Sequence, residues 1–243
     1  MAEKPFKGQV ALVTGAGVRI GRSIALRLAA EGADVVVNYE KSKDAAVEVA
    51  REIEKLGQRA IAVQADVSKK PEVERLFAAA LEKFGRLDIL VNNAGIFFEA
   101  DFLELTEEQW DRILNANLKS QMLCAQAAAP LMKKNGRGRI VNISSLGGLQ
   151  AWPKFVHYCV SKAGVIQLTR VLARALAPEI LVNSVAPGTI QFEGELPDYD
   201  YIRKAPLHRT GKGEDIAEAV VFFCKTDFVT GQIMPVDGGK TLV

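Results

Sequence analysis

Short apolar runs alternate with longer stretches of mixed polarity along almost the whole chain. Residues 9–14, 34–38, 59–64, 88–92, Gly138–Ile143 and 180–185 are brief and rich in valine, isoleucine and leucine. Continuous apolar runs of that length suit strands covered on both faces. Residues 20–31, 42–56, 71–84, 106–134 and 157–177 carry apolar side chains at helical spacing, for example Ile20, Ile24 and Leu28, or Val165, Leu168, Leu172 and Leu176. Gly32, Gly57 and Gly85 sit just past three of these stretches, where a left-handed cap is expected. Ser42 and Thr106 stand at N-cap positions, Thr106 with Gln109 three residues on. Strand–helix alternation implies a parallel sheet with right-handed crossovers. With no linker, repeat or low-complexity tract, residues 1–243 read as one doubly wound α/β domain with helices on both faces.

Composition narrows the partners. A net charge of +2 with 25% charged residues gives no basic face for nucleic acid. Cys124, Cys159 and Cys224 are scattered, which argues against a disulfide framework or a metal site and for core thiols in a reducing compartment. No apolar run approaches the roughly 18 residues of a membrane span. The lysines near the start are not followed by an apolar stretch like a signal peptide. The expectation is a soluble, cytoplasmic protein.

The first run leads into Thr14-Gly15-Ala16-Gly17-Val18-Arg19-Ile20-Gly21, with a helix directly after it. Glycines there let the backbone turn tightly against a pyrophosphate, and the helix start supplies amide hydrogens and a positive dipole end. In an alternating domain this points to a Rossmann-type fold holding a dinucleotide. After the second strand the chain reads Asn38-Tyr39-Glu40-Lys41-Ser42, without the acidic strand-end residue that normally takes a ribose 2′-hydroxyl. Neutral Asn38 leaves room for a 2′-phosphate, and Lys41, Ser42 and Arg19 are donors for it. NADP(H) is therefore the expected cofactor, with Glu40 acting against it if that side chain turns inward.

Tyr158 and Lys162 lie four apart on an expected helix and so share a face. Ser144-Ser145 follows the strand thirteen residues earlier, and Asn117 lies in the preceding long helix. Together with Asp66-Val67, Asn92-Asn93-Ala94-Gly95, Pro187-Gly188 and the closing Val236-Asp237-Gly238-Gly239, the chain resembles the short-chain dehydrogenases/reductases over nearly its whole length. The resemblance implies that Tyr158 is the general acid, that Lys162 lowers its pKa and holds ribose hydroxyls, and that Ser145 positions the carbonyl. Asn117 would hold a water beside Lys162, or else simply bond a neighbouring backbone. Cofactor contacts are implied for Gly15, Val18, Arg19, Ile20 and Gly21 at the phosphates, and for Asp66 and Val67 at the adenine. Asn93, Ala94 and Gly95 would lie along the adenosine side, with Pro187, Gly188 and Ile190 bordering the nicotinamide.

Arg19 replaces the middle glycine of the usual family turn, which resembles the pteridine reductases, whereas Ser145 and Asn38-Tyr39 resemble the 3-oxoacyl-carrier-protein reductases. The substrate is expected to be a small carbonyl compound or a pterin. Residues 191–209 read as a substrate lid, acidic and aromatic over 191–201, or equally as a solvated loop, and Phe97, Phe98, Trp152 and Phe155 as candidate pocket residues or core packing. The family implies a homotetramer formed through the helices at 106–134 and 157–177. The rival from another class is a non-catalytic dinucleotide-binding sensor, against which stands the complete set of Ser145, Tyr158 and Lys162.

Overall fold

Alternate residues of each central strand enter two separate cores. In β1 (Val10–Val13), Ala11 and Val13 join one apolar cluster while Val10 and Leu12 join the other. Val35 and Val37 of β2 (Asp34–Tyr39) face the first cluster and Val36 the second. A sheet apolar on both faces has to be covered on both. The first face is covered by α1 (Arg19–Ala30) and α2 (Lys43–Lys55), together with α8 (Gly213–Lys225). The second is covered by α3 (Lys70–Phe84), α5 (Ser120–Lys134) and the C-terminal part of α6 (Val156–Leu176).

The computed structural model describes residues 4–243, so Met1, Ala2 and Glu3, part of the single-domain expectation, lie outside the described residues. With β3 (Ala60–Gln64), β4 (Ile89–Asn92), β5 (Gly138–Ile143), β6 (Ile180–Pro187) and β7 (Ile233–Val236), the strands form one parallel sheet in the order β3-β2-β1-β4-β5-β6-β7. The order reverses between β1 and β4, so the loops after these strands diverge and leave a crevice at their carboxyl ends.

The expected caps are present. Gly32, Gly57 and Gly85 adopt positive φ, and Thr106 and Gln109 exchange hydrogen bonds of 3.2 and 3.0 Å as a capping box. Ser42 occupies the N-cap of α2 but makes no side-chain capping bond. The expected helix at 106–134 is not continuous. It divides into α4 (Glu107–Leu114), a π-helical turn (Asn115–Lys119) and α5. Inside residues 191–209 the chain forms a short helix, α7 (Tyr199–Lys204).

Candidate active site

The loop after β1 is built to bring backbone close to a ligand. Gly15 has a positive φ, and a Cβ on Gly21 would run into the Gly15 carbonyl. Arg19, the first residue of α1, also sits in the left-handed region, at φ 54°, which explains why glycine is the common choice there. The Thr14 hydroxyl accepts from the backbone of Asn93 and Ala94, both at 2.9 Å, and the Asn93 amide donates to the carbonyls of Thr14 and Gly15. The loops on the two sides of the switch point are thereby tied together.

Between them lies a cavity of about 720 Å³, lined by the glycine-rich turn, the ends of β2 to β6 and residues of the 191–209 segment. Gly15, Val18, Arg19, Ile20, Gly21, Asn38, Asp66, Val67, Asn93, Ala94, Gly95, Ser145, Tyr158, Lys162, Pro187, Gly188 and Ile190 all line it, as expected. Three expected contacts do not. Tyr39 is packed in the core, Lys41 points to solvent beside Glu40, and Ser42 lies beneath Gly17. Alternation explains Tyr39: along β2 it shares a face with Val35 and Val37. Glu40, by contrast, does line the cavity. Asn38 is buried, accepting from Gly15 N at 3.2 Å and donating to the carbonyls of Val63 and Ala65, so its amide fastens the turn to β3. Asp66 is similarly engaged: its carboxylate accepts from the Ser68 backbone and hydroxyl, and Lys69 pairs with it.

At the other end Ser145, Tyr158 and Lys162 converge. Lys162 is 4% exposed, and its ammonium donates to the Ile143 carbonyl at 2.9 Å. Burial pushes its pKa down to about 8. Burial raises the Tyr158 phenol above its ordinary value, while a hydrogen bond with Ser145 works the other way. The Ser145 hydroxyl is held by the Gly147 backbone N–H at 3.1 Å.

Asn117 is fully buried in the π-turn rather than at the cavity wall. Its carbonyl accepts from Ile96 N at 2.7 Å, and its amide donates to Ile96 O and the Ser161 hydroxyl at 3.0 and 3.1 Å. The backbone Asn117 bonds is that of the loop after β4, not a neighbour inside its own helix.

Phe97 and Trp152 line the cavity beside Tyr158, whereas Phe155 backs Phe97 and Phe98 turns away onto His157. From residues 191–209, Phe192 and Tyr201 line the cavity. Arg19 lies 4.4 Å over the Phe192 ring and pairs with Glu195. The sequence reading overlooked Ser68, Gln150, Thr189 and Lys240 on the cavity wall, residues that carry no motif of their own.

The residues fit a nicotinamide dinucleotide: a glycine cradle at a helix start, a long cleft across the switch point, and a buried ammonium with one protein acceptor. Such a cleft beside a serine, a tyrosine and a lysine defines an α/β oxidoreductase of the dinucleotide-binding class. A family profile described as enoyl-(acyl carrier protein) reductase matches residues 15–241. A 3-oxoacyl-[acyl-carrier-protein] reductase of Staphylococcus epidermidis is 42% identical over 94% of this chain and 97% of its own. One from Synechocystis is 43% identical over 96% and 97%. Among solved structures, a 7α-hydroxysteroid dehydrogenase complexed with NADH and 7-oxo glycochenodeoxycholic acid superposes with a TM-score of 0.92 at 35% identity, covering 98% and 96% of the two chains. An acetoin dehydrogenase from Salmonella typhimurium gives a TM-score of 0.91 at 33% identity, covering 97% and 96%.

The chain belongs to the short-chain dehydrogenase/reductase family of NAD(P)-dependent oxidoreductases. The pteridine-reductase resemblance gains nothing from these relatives, and Arg19, its main support, is turned toward Phe192 and Glu195. No described helix is long and apolar enough to cross a membrane.

Proposed function

We propose that the protein reduces a ketone to a secondary alcohol with NADPH, Tyr158 giving its phenolic proton to the carbonyl oxygen. The observation carrying this reading is the convergence of Ser145, Tyr158 and Lys162 on the cavity that the glycine-rich turn opens. The nicotinamide, when bound, supplies the hydride. Tyr158, held protonated by burial, is ready to donate in the reducing direction. Ser145 hydrogen-bonds the same oxygen and fixes it beside the phenol. The Lys162 ammonium has two further donors for ribose hydroxyls, and its charge favours the phenolate that remains.

Asn117 is a positioning residue: it fixes the backbone at Ile96 and the Ser161 hydroxyl, which itself donates to Tyr158 O at 2.7 Å. Gly15, Val18, Arg19, Ile20 and Gly21 carry the phosphates, Asp66 and Val67 the adenine, and Pro187, Gly188 and Ile190 the nicotinamide. Neutral Asn38 and the Arg19 charge on the cavity wall support NADPH over NADH. Residues 191–209 form the lid over one catalytic domain, and four chains assemble.

Purified protein, given NADPH with cyclohexanone and with an acetoacetyl thioester, is the test, run beside Tyr158→Phe. The reading expects cofactor oxidation by the wild type, a loss of about 10²–10⁴ in turnover for the variant, and unchanged NADPH affinity. An active Tyr158→Phe, or a wild type inert to every carbonyl yet binding NADPH tightly, removes the mechanism and favours the sensor. Tighter binding of NADH than NADPH overturns the cofactor preference.

A further inference from the structure

Three aromatic rings, those of Phe97, Trp152 and Tyr158, share the catalytic end of the cavity. Phe97 stands edge-on to Tyr158 with centroids 4.7 Å apart and planes at 76°, and Trp152 lies nearly parallel to Tyr158, 6.2 Å away at 11°. Two of the three are locked before any substrate arrives. Phe155 stacks on one face of Phe97, with centroids 4.5 Å apart and planes at 7°, and the Trp152 indole N–H donates to Gln150 Oε1 at 3.1 Å.

Yet Phe97 lines the cavity and remains 57% exposed. A phenyl ring stacked on one side and more than half exposed at a cleft has surface left for a flat partner. The two segments that bring these rings to the wall, Ile96 with Phe97 and residues 143–158, contribute no charged side chain to it. Their polar groups are the hydroxyls of Ser144, Ser145 and Tyr158 and the Gln150 amide.

We infer that the site selects flat, ring-fused, uncharged ketones over open-chain acyl substrates, with Phe97 and Trp152 as the residues that set this preference. The inference rests on the proposed role of Tyr158, which fixes where the carbonyl must lie. With the carbonyl oxygen at Tyr158 and Ser145, a fused ring system extends along the open face of Phe97. A rigid ligand loses little torsional freedom on meeting rings that are already held, whereas an acyl chain must freeze several bonds for the same contact. The carbonyl carbon gains a hydride from the reduced nicotinamide, and its oxygen gains the Tyr158 proton. The ketone is thereby reduced, the nicotinamide oxidised, and Tyr158 reprotonated from solvent.

The experiment measures kcat/KM of the full chain with saturating NADPH for 2-tetralone, cyclohexanone and acetoacetyl N-acetylcysteamine. The expected result is a preference for 2-tetralone over both others of about tenfold or more, the order that one to two aromatic contacts supply. In Phe97→Ala, and in Phe97→Leu, which keeps apolar volume without the flat face, the tetralone-to-cyclohexanone ratio collapses toward one. Calorimetric binding of 2-naphthol to the NADP⁺-loaded protein weakens about tenfold in the same variants. A ratio near one in the wild type, or a ratio that survives both substitutions, overturns the inference. Turnover of the thioester alone overturns it while leaving the ketone-reductase reading standing, and inertness toward all three compounds removes both.

Discussion

At the scale of single residues, Lys162 shows the site's demands overriding stability. A fully buried ammonium with one carbonyl partner is a costly group to fold around, and burial brings its pKa from the ordinary 10.5 to about 8. Lys162→Met, close in length and uncharged, therefore abolishes turnover while raising the melting temperature of the cofactor-free protein by about 4 °C, the shift expected for one to two kcal/mol in a chain of this size. The native lysine gives up its proton near pH 8 and the unfolded one near 10.5. Wild-type stability thus rises relative to the variant through that window, and the gap between their melting curves narrows as pH climbs from about 8 toward 10.5. A gap that is absent, or constant with pH, contradicts the assigned burial cost.

Glu40 provides a second residue-scale test, because it lines the cavity where a neutral wall was expected. Removing its charge in Glu40→Gln should strengthen NADPH binding about fivefold relative to NADH, a change of roughly 1 kcal/mol for one half-screened carboxylate near a phosphate. Fluorescence titration of both cofactors checks it, and an unchanged ratio of affinities means that the carboxylate does not face the 2′-position. The same short segment marks a limit of sequence reading. Asn38, Tyr39, Lys41 and Ser42 read as one cofactor-binding string, but strand alternation sends Tyr39 into the core, and Lys41, past the end of β2, stands in solvent.

At the scale of elements, regular periodicity was readable and its interruptions were not. The strands and long helices announce themselves through apolar spacing, and the Thr106–Gln109 box marks the start of α4 correctly. The π-turn gives no such signal, since one extra residue in a turn barely disturbs a 3.6-residue pattern; it is nevertheless what brings Asn117 to Ile96. β7 escaped because Pro235 interrupts a strand that pairs on one side only and is half-exposed. In α8 the unbroken apolar run from Ala219 to Cys224 blurs the helical period.

The segment 191–209 stands out in the sequence, but its fastening does not. α7 is latched by the Tyr201 hydroxyl, which donates to Asp237 O at 2.6 Å directly above Gly188, and a second contact joins Glu195 and Phe192 to Arg19. Tyr201→Phe deletes the latch but keeps the ring, a loss of about 1 kcal/mol. Limited proteolysis of residues 193–198 should accelerate about fivefold and KM for ketones should rise, with the global melting temperature moving by about 2 °C or less. Cleavage at the wild-type rate would show that the lid is held elsewhere.

At the scale of the molecule, the sheet's reversal between β1 and β4 sets the site, while the outer helices bear on assembly. α5 and the C-terminal part of α6 bury their inner sides against the second core, yet Met122, Val160 and Val171 remain exposed on these two helices, Val171 at 54%. Phe102 and Leu103, just ahead of α4, are exposed as well. Patches of that kind, on helices long enough to pair antiparallel about a two-fold axis, are what a symmetric interface requires. A dimer through these helices would also bring two copies of α6, and so both Tyr158–Lys162 faces, under mutual restraint. Light scattering at micromolar concentration should give four times the 26.4 kDa chain. Val171→Glu places a carboxylate in the centre of the expected contact and should halve that mass or reduce it to one chain, with activity falling in parallel as α6 loses its support. A wild type that scatters as a monomer refutes the assembly, and a Val171→Glu protein that stays tetrameric moves the interface off α6.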